Sequence, residues 1–75
     1  MDNLQTAERI KKQCANKRIS VKTMLEECDI DKGFMFEITG RNRTPLADKL
    51  EKIAIRLDCS VDYLIGRTDN PEVNR

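Results

Sequence analysis

Leu46, Leu50, Ile53, Ala54 and Leu57 recur at helical intervals, so their side chains line up along one face of an α-helix. No segment of the chain reads as a strand candidate. Thr44 and Pro45 stand before Leu46 as a capping hydroxyl and a proline suited to a first helical position, so a helix is expected from Pro45 to Leu57. Ala7, Ile10 and Cys14 predict another over 3–17, with Glu8 and Lys12 paired on its surface. Ser20 is a good N-cap for a short second helix carrying Met24, Leu25 and Cys28, which halts at Asp29. Asp31 is expected to cap a third, with Met35 and Ile38 facing inward and Gly40 as its stop. Ser60 opens a last short helix with Asp62 at its positive end and Tyr63, Leu64 and Ile65 on its apolar side; Gly66 closes it. The expectation is an all-α, five-helix domain over 1–68 with a polar tail over 69–75.

A chain of 75 residues has room for one domain, and at that size folding buries only about 60% of the surface of the unfolded chain. A substrate cavity inside such a core is not expected. With no His, no glycine-rich phosphate loop and no nucleophile beside a recognisable base, the chain reads as non-enzymatic. Cys14, Cys28 and Cys59 are widely spaced and form no CxxC pair, so they read as reduced thiols, and Cys14 and Cys28, at apolar positions of helical patterns, read as small buried hydrophobes. No metal or other cofactor is expected. The first ten residues, MDNLQTAERI, are polar where a signal peptide would be basic and then apolar, and no run approaches membrane-spanning length. A soluble protein of the bacterial cytoplasm or nucleoid is expected.

Lys plus Arg number 14 against 13 for Asp plus Glu, so overall charge says little about partners. Its distribution says more: Arg41, Asn42 and Arg43 form a basic cluster with no acid between Glu37 and Asp48. If the second and third helices cross steeply, Met24, Cys28, Ile30, Met35 and Ile38 turn inward. The third helix then presents Lys32, Gly33, Phe36 and Glu37 outward, with Phe34 at the boundary. A helix so placed suits the major groove of B-DNA. Lys32 can donate to guanine, Glu37 can accept from cytosine N4, Phe34 or Phe36 can pack on a thymine methyl, and Gly33 allows close backbone approach. Ser20, Lys22, Thr39, Arg41, Asn42 and Arg43 are candidates for phosphate contacts, which fix orientation without reading sequence. The competing assignment sends one phenylalanine to the core edge and the other to a protein interface, with the arginines as a solvated loop.

The inward positions Met24, Cys28, Ile30, Met35 and Ile38, the long helix from Pro45 to Leu57 and the following DCSVDYLIGRTD over 58–69 resemble the lambda-repressor/Cro-like helix-turn-helix family of phage and Gram-positive bacterial transcriptional regulators. The resemblance covers about residues 7–70, and its last stretch is the most specific part. It implies a fold in which the second and third helices form the helix-turn-helix, and an activity of binding a double-stranded DNA operator to repress or switch transcription. It also implies a homodimer on two half-sites, with Asp58, Val61, Asp62, Ile65 and Arg67 in the segment where partners meet; ordinary core packing is the other reading of Val61 and Ile65. No small-molecule ligand is implied.

Three positions depart from the family's pattern. Val21 stands where Gln often reaches the DNA backbone, leaving that contact to Ser20 or Lys22. Leu25 replaces a usual small residue and is expected to push the two helices apart. Asp29 replaces the usual turn glycine, and Asp tolerates the left-handed conformation such a turn needs. The alternative of a different class is a protein-binding helical module, antitoxin-like or antirepressor-binding.

Overall fold

A computed structural model describes residues 2–73; Met1 of the expected domain and Asn74 and Arg75 of the expected tail lie outside the described residues. The order is α1 (Asn3–Asn16), α2 (Val21–Glu27), α3 (Phe34–Thr39), α4 (Ala47–Leu57) and α5 (Val61–Leu64), with no strand among the described residues. The all-α, five-helix expectation holds.

Each start has a local cause. Asp2, in extended backbone, accepts the N–H groups of Leu4 and Gln5 at 3.0 and 3.2 Å and so caps α1. Ser20 caps α2 through Thr23 N at 3.0 Å, and Ser60 caps α5 through Tyr63 N at 3.0 Å, both as expected. Two expected starts shift. Pro45 is not the first turn of α4: Leu46 is the N-cap, in extended backbone and without a side-chain bond, and Thr44 caps nothing. The third helix begins at Phe34 rather than after Asp31, because Lys32 and Gly33 form a turn in which the Asp31 carbonyl accepts Phe34 N–H at 3.0 Å.

Four helices end by one device. Arg18, Asp29 and Asp58 take left-handed φ values of 57°, 57° and 51°, and Gly66 takes 87°. In each case the next residue sends its N–H back to a carbonyl five positions earlier: Ile19 to Cys14, Ile30 to Leu25, Cys59 to Ala54 and Arg67 to Asp62, at 2.8–3.0 Å. Three of those next residues are apolar and pack into or against the core, so the chain turns and anchors at once. Asp29 accordingly does the work of the turn glycine it was read to replace. A Cβ at Gly66 would also collide with the Gln5 side chain.

The core is one cluster, with Ile10, Met24, Ile38, Ile53, Leu57 and Leu64 fully enclosed. Its largest correction to the expected pattern lies in α3. Phe34 and Ile38 form the buried stripe, and Met35, expected inward, is only half-buried against the cluster. Once the helix begins at Phe34, positions four apart share the inward face and Met35 moves to the flank. Cys28 is likewise half-buried, and Leu46 is exposed rather than on the apolar face of α4. α3 packs on α1, while α2 packs on α1 and α4. Among the described residues α2 and α3 make no close backbone approach. Arg56 Nε donates to Glu27 Oε2 at 2.6 Å and ties α4 to the end of α2. On α1, Glu8 pairs with Lys11 at 3.8 Å instead of Lys12.

The segment after α5 is not a free tail. Arg9 donates to the carbonyls of Tyr63 and Thr68 at 2.7 and 2.6 Å, pairs with Asp69 at 2.8 Å, and lies 4.4 Å from the centre of the Tyr63 ring. The Pro71 carbonyl then accepts Ser60 N–H at 2.9 Å, folding residues 68–71 back on the domain. No helix is long and apolar enough to cross a membrane among the described residues.

Candidate nucleic-acid interface

The fifth helix ending differs from the other four and builds the candidate site. α3 runs out at Gly40, whose φ of −81° is ordinary. Glycine is needed there for space: a Cβ would come within 3.0 Å of the Phe36 ring, which folds back over it. Phe36 O accepts from both Gly40 N and Arg41 N, at 2.6 and 3.3 Å. Asn42 then turns left-handed at φ 51°, and Arg43 N reaches back six residues to Glu37 O at 2.9 Å. The lengthened turn returns the Arg43 side chain to α3, where its Nε lies 3.1 Å from Glu37 Oε2. Arg41 Nη1 approaches Glu37 Oε1 at 3.8 Å, and its guanidinium stands 5.7 Å from the Phe36 ring centre.

One carboxylate therefore faces two guanidinium groups beside an exposed phenyl ring. Glu37 Oε2 is shielded from water and makes an ion pair with Arg43 without an aligned hydrogen bond. The side chains of Arg41 and Arg43 are more than half exposed, at 57% and 68%, so their remaining N–H donors point to solvent.

The predicted base-reading residues separate. Phe34 is buried at 6% exposure and is withdrawn from any base contact, because it supplies the inward face of α3. Phe36 is 59% exposed and is the phenylalanine available to a partner. Lys32 is exposed but belongs to the turn before α3, not to the helix. Gly33 is the half-buried N-cap, and a Cβ there would meet only the Asp31 carboxylate at 3.3 Å. Glu37 is held by the two arginines as described.

Among the predicted phosphate residues, Lys22, Arg41 and Arg43 are exposed cations. Ser20 is exposed, but its oxygen accepts the capping N–H and its hydroxyl donates to Thr23 Oγ1 at 2.8 Å. Thr39 donates its hydroxyl to Met35 O at 2.9 Å, along its own helix. Asn42 accepts from the buried Asn3 Nδ2 at 3.0 Å, which pins the loop to the start of α1. Ser20, Thr39 and Asn42 thus have structural partners already, although each remains at the surface.

A cleft beside the arginine cluster is lined by Phe34, Glu37, Arg43, Pro45, Leu46 and Lys49. Lys49 was not singled out, because in the sequence it is one of many charged residues on α4. The predicted dimer residues also separate. Asp58, Val61 and Asp62 line a groove with Ile55, Cys59 and Val73, whereas half-buried Ile65 and exposed Arg67 lie outside it. Ile55 is 73% exposed, and the sequence carried its signal: it falls off the apolar face drawn by Leu50, Ile53, Ala54 and Leu57.

Burial pushes the thiol of Cys59 up to about 11, and raises those of Cys14 and Cys28 as well. All three remain protonated near neutral pH, as packing residues do. Among the described residues no group of His, Cys, Asp and Glu is arranged to hold a metal ion. A comparison with known proteins finds no significant match among family models, curated proteins or solved structures.

Proposed function

We propose that this chain is a sequence-specific, double-stranded-DNA-binding transcriptional regulator of the lambda-repressor/Cro-like kind, a repressor of phage or bacterial type acting in the cytoplasm. The observation that carries the reading is the grouping of Arg41, Arg43 and exposed Phe36 on one short helix and its exit loop, with Lys32 in the turn before that helix. α2 and α3 act as the helix-turn-helix, and α3 enters the major groove. Arg41 and Arg43 hold phosphates, Lys32 reaches a guanine edge, and Phe36 packs on a thymine methyl. A homodimer places two such helices on half-sites one turn of DNA apart.

A second reading, a protein-binding helical module, is favoured by the groove under Ile55, whose apolar wall continues through Val61 and Val73. Fluorescence anisotropy with labelled duplexes from the DNA flanking the gene, at two salt concentrations and against a scrambled competitor, separates the two. The regulator reading expects competitor-resistant binding to one duplex that weakens steeply as salt rises. Binding no tighter than to scrambled DNA transfers the assignment to the protein-binding module.

A further inference from the structure

We propose that Glu37 is a built-in electrostatic brake on the arginine cluster, a carboxylate occupying the place that a DNA phosphate takes when the operator binds. This deepens the DNA-binding reading and rests on it. Glu37 faces Arg41 at 3.8 Å and Arg43 at 3.1 Å, and its own backbone carbonyl fixes the Arg43 N–H. The two guanidinium groups and one carboxylate leave a net charge of +1 where the arginines alone would carry +2. The pairing is local to α3 and its exit loop, and both arginines keep donors exposed to solvent. A phosphate can therefore replace the carboxylate without unfolding anything.

The brake costs right and wrong DNA alike. On any duplex, recruiting the arginines requires weakening their attraction to Glu37, so non-specific binding is reduced throughout. At the operator, the contacts of Lys32 and Phe36 add to the phosphate term and offset that cost. Glu37 thus sets a threshold without touching a base: it lowers the sequence-independent part of affinity, so that a duplex lacking the Lys32 and Phe36 contacts is held too weakly to compete for the protein at working salt.

The test is Glu37→Gln, which keeps the shape and an acceptor oxygen and removes the charge. Binding is read as a salt series on operator and scrambled duplexes, together with the salt needed to elute each protein from immobilised heparin. We expect E37Q to bind every duplex about 3–10-fold tighter near 0.1 M salt, with a salt slope steeper by about 0.9. The ratio of operator to scrambled affinity stays unchanged, elution moves to higher salt, and the gain shrinks when Arg43→Ala is added.

Uniformly weaker or unchanged binding by E37Q overturns the brake in favour of a positioning role for Glu37. A loss confined to duplexes with one particular C·G pair overturns it in favour of cytosine readout. If neither protein prefers any duplex, yet E37Q elutes from heparin at higher salt and Arg43→Ala removes most of that shift, the brake on the anion-binding cluster stands and the operator-binding reading falls.

Discussion

Arg9 and Arg43 are each paired with a carboxylate, yet the two regions around them use the pairing differently. The side chain of Arg9 is 13% exposed; its guanidinium bridges two backbone carbonyls and stacks on Tyr63 before it reaches Asp69. Arg43, 68% exposed, meets a carboxylate side chain on the neighbouring helix and leaves donors in solvent. The first arginine joins segments 54 to 60 residues apart, whereas the second reaches back only six. Carbonyl partners in fixed backbone cannot be exchanged without moving the fold; a side-chain partner at the surface can be exchanged for another anion. The same residue type therefore serves as a clasp in one region and as an available contact in the other.

The sharpest way to break this comparison is Arg9→Ala. It should lower unfolding stability by about 2–4 kcal/mol, because a charged hydrogen-bond donor to two carbonyls and its stacking are lost together. Arg9→Lys should recover only part, since an ammonium cannot fork between the carbonyls and stack. Urea denaturation of the three proteins at one salt concentration measures both; an Arg9→Ala protein as stable as the parent removes the clasp.

Buried Cys59, between α4 and α5, adds a pH dependence. Its thiol is raised from 9.0 to about 11 on folding, so the unfolded chain releases the proton first as pH rises. Stability is therefore intact below about pH 9 and falls between about 9 and 11, by about 2–3 kcal/mol from this thiol alone. Denaturation midpoints from pH 8 to 11, compared with those of Cys59→Ala, isolate the effect. Parallel slopes for the two proteins would remove it.

In the exposed cluster Arg43→Ala should change stability by no more than about 0.5 kcal/mol, as exposed ion pairs do. Its effect belongs to binding: about 3–10-fold weaker on every duplex and a shallower salt slope. Lys32→Ala should instead weaken discrimination at one base pair, by about 1–3 kcal/mol. Equal losses on all sequences for both variants would take Lys32 out of the reading role.

What could be read before folding follows from how local each determinant is. The apolar face of α4 from Leu50 to Leu57, the caps at Ser20 and Ser60 and the left-handed Asp29 each depend on a few neighbouring residues, and they stand as expected. Phe34 was misplaced because a start moved to the far side of the Lys32–Gly33 turn rotates the whole inward stripe of a six-residue helix. The Arg9 clasp was invisible for the opposite reason: its partners are mostly backbone carbonyls far along the chain, and a carbonyl leaves no mark in a sequence. In the candidate interface, the cluster Arg41, Asn42 and Arg43 was legible as charge. That Glu37 sits between its arginines, and that Asn42 is pinned to Asn3, needed the lengthened turn after Gly40.

The left-handed turns at Arg18, Asp29, Asn42 and Asp58 carry a stereochemical consequence. An L-residue there sets its Cβ against the following carbonyl, at about 1–2 kcal/mol each. A mirror-image amino acid prefers that same region of backbone space, so these four points are where the opposite enantiomer fits the native path better than the residue the ribosome supplies. The direction of the chain at each corner is thus a matter of handedness at a single α-carbon.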